Sequence, residues 1–250
     1  MFMFLLACRP PEAAPAELGS LSRFFFRELD AGDDTLLTAG ASNLDAVLTD
    51  IDLEGAQDDR SYTLPLLEAD DIGDIERPDR VLSDCIGLGL GAQSIWSVAD
   101  HASYQILPDL TAASPQTTSF LRSFEGDPEC FLDQSCAVLR TTNVVVRENP
   151  LATMTTELTK DYHWIETDAG LAMIARGWFT VSSHDAEEKN HIWQHYEIDV
   201  YLPDGEETRR FIGIWTEPDY ALVDADAAGN FLLNGADDTF AHVDEWLAER

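Results

Sequence analysis

Two short stretches hold side chains whose types and spacing could do chemistry. His191-Ile192-Trp193-Gln194-His195 places two imidazoles four residues apart. On a helix that spacing makes a zinc pair on one face; on a strand the two rings share a face but stand ~13 Å apart, too far for one ion. The surrounding residues alternate as a strand does, so both histidines read as strand residues on a polar face. Ser182-Ser183-His184-Asp185 contains all three residue types of a hydrolase triad. Triads are assembled from separated segments, so adjacency is no argument for one, and the chain has no Gly-x-Ser-x-Gly elbow. Carboxylates are too numerous for any acid/base couple to stand out. No catalytic residue is nominated, and no cofactor is implied.

The carboxylates themselves are the next feature. The 250 residues carry 47 Asp plus Glu against 15 Lys plus Arg, a formal net charge of −32. Such a chain repels phosphate, which excludes sequence-independent nucleic-acid binding and disfavours adsorption to anionic lipid. Hydrophobic residues at 45% and aromatics at 10% are enough to build a core, which excludes disorder throughout. Residues 28–79 are the densest stretch, sixteen acids against Arg60 and Arg77. Only Lys160 and Lys189 are lysines. This pattern is that of a solvated acidic shell suited to a salty exterior. The sharper reading is calcium. Asp50-Ile51-Asp52-Leu53-Glu54-Gly55 resembles the opening of an EF-hand loop, which makes Asp50, Asp52 and Glu54 weak calcium candidates; the twelfth place is Ser61 instead of the bidentate Glu. Gly87-Leu88-Gly89-Leu90-Gly91 lacks the spacing and the following Lys-Ser/Thr of a phosphate cradle, and reads as close backbone packing or a turn.

The elements that must position these residues are clearest after residue 137. Residues 137–147 are β-rich around Val144-Val145-Val146, strand-like alternation covers 154–165, 171–181 and 191–202, and 207–216 carries Phe211, Ile212, Ile214 and Trp215; turn-forming segments such as Asp168-Ala169-Gly170 and Pro203-Asp204-Gly205-Glu206 join them. An antiparallel meander with one buried face follows. Residues 17–29 read as a helix through Leu18, Leu21, Phe25 and Leu29, and 238–249 as a second through Phe240, Val243, Trp246 and Leu247. The stretch 44–54 suits a half-buried strand, 92–107 a helix, and 111–129 mostly loop. Trp178 and Trp193 fall off the main apolar face of their strands. They therefore face either a second covered surface or a pocket, and are the candidate ligand-facing residues. Of the cysteines, Cys130 and Cys136 are the easiest disulfide pair to form; Cys85 to either is an alternative, as are three buried thiols.

The N-terminus reads Met1-Phe2-Met3-Phe4-Leu5-Leu6-Ala7-Cys8, followed by Arg9-Pro10-Pro11-Glu12-Ala13-Ala14-Pro15. Leu5-Leu6-Ala7-Cys8 resembles the lipobox of bacterial lipoproteins. That resemblance implies removal of 1–7 as a signal-peptide remnant, acylation of Cys8, and an extended tether over 8–17. A second stretch, Ile95-Trp96-Ser97-Val98-Ala99-Asp100 with Tyr104 and Leu107-Pro108, resembles the helix opening of START-type lipid-binding domains, which implies a cavity for a hydrophobic ligand.

The expectation is a single α+β domain over 18–250, with an acidic mixed part (18–129) and a β-rich part (130–250). Its architecture is an antiparallel meander or partly closed barrel, with an N-terminal helical or irregular part and a C-terminal helix. The expected function is non-catalytic: an exported, acidic protein of the cell envelope, held to a membrane by its lipid anchor and binding a protein partner or a small apolar ligand. The competing readings are an extracytoplasmic hydrolase and a cytosolic protein of a salt-adapted bacterium with Cys8 incidental.

Overall fold

The computed structural model describes residues 13–29, 33–114, 116–148, 152–221, 223 and 225–250; Cys8 and its lipobox lie outside the described residues. In chain order the elements are α1 (Leu18–Glu28), α2 (Asp34–Thr49), β1 (Ser61–Thr63), α3 (Ala69–Ile72), β2 (Ile86–Ser94), α4 (Val98–Gln105), β3 (Thr117–Glu125), α5 (Pro128–Leu132), β4 (Val138–Glu148), β5 (Thr153–Thr167), β6 (Gly170–Phe179), β7 (Ser183–His184), β8 (Asn190–Asp204), β9 (Glu207–Tyr220) and α6 (Ala225–Ala248). The strands form one antiparallel sheet in the order β1-β2-β9-β8-β6-β5-β4-β3, with β7 paired to β8. Both ends of this order are open, so the sheet is not a closed barrel. The run β4 to β9 is the expected meander. The acidic N-terminal part adds strands at both edges, β1 and β2 beyond β9, and β3 beyond β4.

Both faces of the sheet are covered, where alternation alone predicts one buried face and the off-face tryptophans point to a second covered one. On β8, Tyr196, Ile198 and Val200 point to the face packed by α1 and α2, where they join Phe24, Phe25, Phe26, Leu44 and Trp215 in one core. On β5 and β6, Tyr162, Trp164, Met173 and Ala175 point to the opposite face, against α4 and α5 through Ala102, Ile106 and Phe131. α6 covers the same side further along, with Phe240 and Ala236 on Leu90, Ala92 and Ile214. Each strand alternates as expected, but the apolar set of β8 faces away from that of β5 and β6. Period two shows that a face exists and not which side of the sheet it joins.

Four element readings change. The 44–54 stretch is the end of a helix, because Leu37, Ala41, Leu44 and Leu48 recur at helical spacing along α2 and are buried. Its start is set by Asp33, whose carboxylate accepts the N–H groups of Thr35 and Leu36. The 92–107 segment is a strand to Ser94, then α4, opened by a capping box between Ser97 and Asp100. The 111–129 segment contains β3, a polar edge strand whose sequence lacks the apolar alternation of an interior one. The C-terminal helix is 24 residues long and begins thirteen residues earlier than its sequence suggests. Gly229, Asn230, Asn234 and Gly235 lower its helix propensity, and packing on the sheet overrides that.

The glycine run of β2 is close packing. A Cβ on Gly87 would lie 2.6 Å from the Leu64 carbonyl oxygen, and one on Gly91 2.7 Å from Leu53 Cδ2. Only glycine lets the N-terminal layer lie this near the strand.

Candidate functional site

On β4, β5 and β6, Thr142, Thr159 and Trp178 are cross-strand neighbours, so their side chains share the face that α1 and α2 cover. The helical layer stops short of this end. The 74–76 segment after α3 leans over it instead, and the Trp178 indole donates to the Glu76 carbonyl oxygen at 3.1 Å. Between that segment and the strands opens a cleft of about 600 Å³, walled by Ile75, Thr142, Thr159, Trp178, Thr180 and Val181 and edged by charged residues. Trp178 is almost wholly buried in the wall, while Val181 is 49% exposed. Its charged neighbours are Asp74, Glu76, Glu125 and Glu157, with Arg140 among them. Arg140 is held by Asp161, Nε to Oδ1 at 2.5 Å and Nη2 to Oδ2 at 3.0 Å. The same carboxylate takes Arg176 at 3.0 Å, and Arg176 donates to the Phe26 carbonyl oxygen at 3.1 Å, tying α1 to the sheet. The two guanidinium groups stand 5.8 and 5.1 Å from the Trp178 ring, within cation–π range. No serine, cysteine or histidine lines the cleft.

A second polar constellation lies on the opposite face. Lys160 follows Leu158 and precedes Tyr162 and Trp164 on the apolar side of β5. Its ammonium donates to Glu197 Oε1 at 2.8 Å and to Asp199 Oδ2. His195 Nε2 lies 3.2 Å from Glu197 Oε2, and its ring packs on Phe179 at 4.8 Å. Burial pushes Asp199 up to about 6, because one ammonium serves two carboxylates. Glu197 goes the other way: burial would raise it, but Lys160 and His195 hold it below the usual carboxylate range. Burial would lower Lys160, and Asp199 and Glu197 together keep it well above the usual lysine range. The cluster is an internal ion network, and its signal in the sequence is a single lysine on an otherwise apolar strand face.

Ser94 and His101 form a serine–histidine contact that sequence spacing did not flag, with Nε2 and Oγ 2.9 Å apart. Its polarity is wrong for nucleophile activation. Ser94 Oγ also stands 2.7 Å from Asp244 Oδ1, and Asp244 is ion-paired to Arg210 at 2.8 Å. A carboxylate held that way accepts, so the hydroxyl donates to Asp244 and accepts a hydrogen bond from His101 Nε2–H. A general base must instead accept the serine proton. Burial pushes His101 down to about 3, which keeps the ring neutral. The contact fastens β2, α4 and α6 together.

The sequence-nominated residues are dispersed. Trp178 lines the cleft; Trp193 does not. Trp193 stacks on His191 at 4.2 Å with Arg80 5.0 Å from its ring. His191 and His195 are separated by a register shift in β8. Ser182 Oγ donates to the Trp193 carbonyl and Ser183 Oγ to the Thr155 carbonyl, and His184 Nδ1 lies 2.9 Å from the Asp185 carbonyl oxygen. No triad forms there. Asp50, Asp52 and Glu54 are exposed in the turn after α2, and among the described residues no three His, Cys, Asp or Glu side chains converge to hold a metal. Cys130 and Cys136 are joined in a disulfide at a Cα separation of 5.3 Å, and Cys85 is a buried thiol.

No protein-family model matches the chain, and no curated protein matches it. Solved structures of similar outline include a STAR-related lipid transfer protein from Xanthomonas axonopodis, at 10% identity over 74% of this chain and 98% of that one, TM-score 0.49. A START superfamily protein from Mycobacterium smegmatis shares 9% identity over 65% of this chain and 97% of its own, TM-score 0.42. Human StAR-related lipid transfer protein 5 shares 6% over 66% and 76%, TM-score 0.40. At these identities no residue role is transferred from them.

Proposed function

We propose that this is a non-catalytic binding protein that takes a small ligand with an apolar body into the Trp178 cleft. The observation that carries the reading is the cleft itself. It is of ligand size, open to solvent, walled by Trp178, Ile75, Val181 and three threonines, and lined by no serine, cysteine or histidine. The polarity of the Ser94–His101 contact supports a non-catalytic role. In this reading the domain is exported and held at the cell envelope by acyl chains on Cys8, with the Pro-rich segment as tether.

Calorimetric titration with 3-phenylpropanol, a neutral probe that fits the cleft, tests the reading. Saturable one-to-one binding is expected, weakened about fivefold or more by Val181→Gln, which removes apolar contact at an exposed wall position. Absence of saturable binding to the wild type contradicts it. Metabolic labelling of cells with a fatty-acid analogue tests the anchor. Label on the full chain and none on Cys8→Ser is expected; an unlabelled wild type refutes the anchor without touching the cleft.

A further inference from the structure

Between Glu125 and Val138 the chain leaves the sheet, passes through α5 and returns. Of the described residues 126–137, only Phe131 is buried. Its ring stacks on Trp164 at 5.5 Å and meets Tyr162 edge-on at 6.1 Å, closing one end of the interior between the sheet and α4. The Trp164 indole N–H donates to the Phe131 carbonyl oxygen at 2.9 Å. The excursion is therefore a plug seated by one side chain.

The local structure behind that side chain is weak. α5 has five residues, too few to persist as a helix by itself. The Asp127 carboxylate caps its start by accepting the N–H groups of Glu129 and Cys130. At its end the Ser135 N–H donates to the Cys130 carbonyl and the Gln134 N–H to the Phe131 carbonyl. That closure sets Gln134 at φ 64°, in the left-handed region where glycine is the usual residue. The Cys130–Cys136 disulfide ties the same turn shut, from two partly exposed positions. Without it, Phe131 and the Trp164 hydrogen bond alone hold a short helix and a strained turn to the sheet.

We infer that the Cys130–Cys136 disulfide is a redox latch on this plug. Closed, it keeps Phe131 on Trp164 and Tyr162. Opened, it lets α5 swing away far more often and uncovers the apolar interior beside α4. A dithiol reductant opens it: one thiolate attacks a latch sulfur, the protein S–S bond breaks as a mixed disulfide forms, and the second thiol displaces the protein sulfur. The protein gains two electrons and two protons as two thiols, and the dithiol leaves as a disulfide. Cys85, a buried thiol, takes no part. The latch is independent of the Trp178 cleft, which lies on the other face.

Hydrogen exchange of the full chain, followed by NMR before and after dithiothreitol, tests the latch. Reduction is expected to speed exchange about twentyfold or more at the Trp164 indole and at the Phe131, Gln134 and Ser135 amides. The amides of Leu44, Ile198 and Val200 are expected to keep their rates, and reoxidation to restore protection of the plug. Cys130→Ser/Cys136→Ser is expected to show the fast pattern without reductant. Unchanged exchange at the plug overturns the inference, as does protection that reoxidation does not restore. Exchange raised equally everywhere, or a double variant that does not fold, would make the disulfide a staple of the whole domain and also overturns it. So would alkylation of Cys130 and Cys136 in the protein before reduction.

Discussion

At the scale of residues, the molecule spends its two lysines very differently. Lys189 pairs with Glu187 in solvent, where such contacts contribute little. Lys160 is buried with two carboxylates, and removing it strands both. Lys160→Met is expected to destabilise the fold by about 3–5 kcal/mol, read from chemical denaturation. Asp199 supplies a pH signature. Its folded pKa, pushed up to about 6, lies above the ordinary carboxylate value of 3.8, so its contribution is complete below the ordinary value and lost as pH rises through about 6. Asp199→Asn cannot ionise. Its stability relative to wild type is therefore expected to improve between about pH 4 and pH 7, measured as a difference in unfolding free energy at each pH. A flat difference would place the cluster's shared proton elsewhere. His101 acts with the opposite sign in both proteins: its contribution is present above the usual imidazole range and lost as pH falls towards about 3, so it cancels in the difference.

At the scale of elements, what could be read from the sequence depended on how completely each element expressed its own period. β5, β6 and β8 alternate over about ten residues, and β4 and β9 are rich in β-branched and aromatic residues between turn signals, so their ranges are legible. Over the end of α2 the Val47, Thr49, Ile51 and Leu53 alternation competes with the helical spacing of Leu37, Ala41, Leu44 and Leu48, which is why 44–54 reads as a strand. β3 reads as loop because an edge strand with one half-covered face needs few apolar residues. The site was legible only at Trp178, which stood out as an aromatic on the wrong face of its strand. Thr142, Thr159, Glu125 and Glu157 carry no local signal; only the pairing of β3 to β6 brings them together. α6 depends on the sheet more than on its own propensity. Phe240, 7% exposed, packs on Leu90 and Ile214 and stands 4.5 Å from the Arg210 guanidinium. Phe240→Ala is expected to cost about 3–5 kcal/mol and to lower protection of α6 amides from hydrogen exchange before the rest of the fold is affected.

At the scale of the whole molecule, the charge of −32 and the layered fold are connected. The scarce arginines sit where acidic layers meet: Arg209 joins β9 to Asp45 of α2, Arg210 joins it to Asp244 of α6, Arg60 reaches Asp237 of α6, and Arg80 reaches Glu217. These contacts fasten layers that would otherwise repel. The remaining carboxylates form the solvated shell, and their mutual repulsion is long-ranged and screenable. Thermal stability is therefore expected to rise with sodium chloride up to physiological strength and beyond, since screening relieves the many repulsions more than it weakens the few partly buried pairs. A melting temperature that falls with salt would mean that the ion pairs outweigh the shell.

The fold offers a small molecule two places: the interior between the sheet and α4–α6, and the cleft on the other face beside Trp178. The second is an open space of about 600 Å³; a further opening of about 540 Å³ beside Asp185 and Asn190 has no aromatic wall. Amide and indole chemical shifts mapped during titration with 3-phenylpropanol choose between them. Saturable shifts are expected at Ile75, Thr142, Thr159, the Trp178 indole and Val181. Shifts centred on Tyr162, Trp164 and Tyr201 on the opposite face, or no saturable shifts at all, would contradict the cleft as the ligand site.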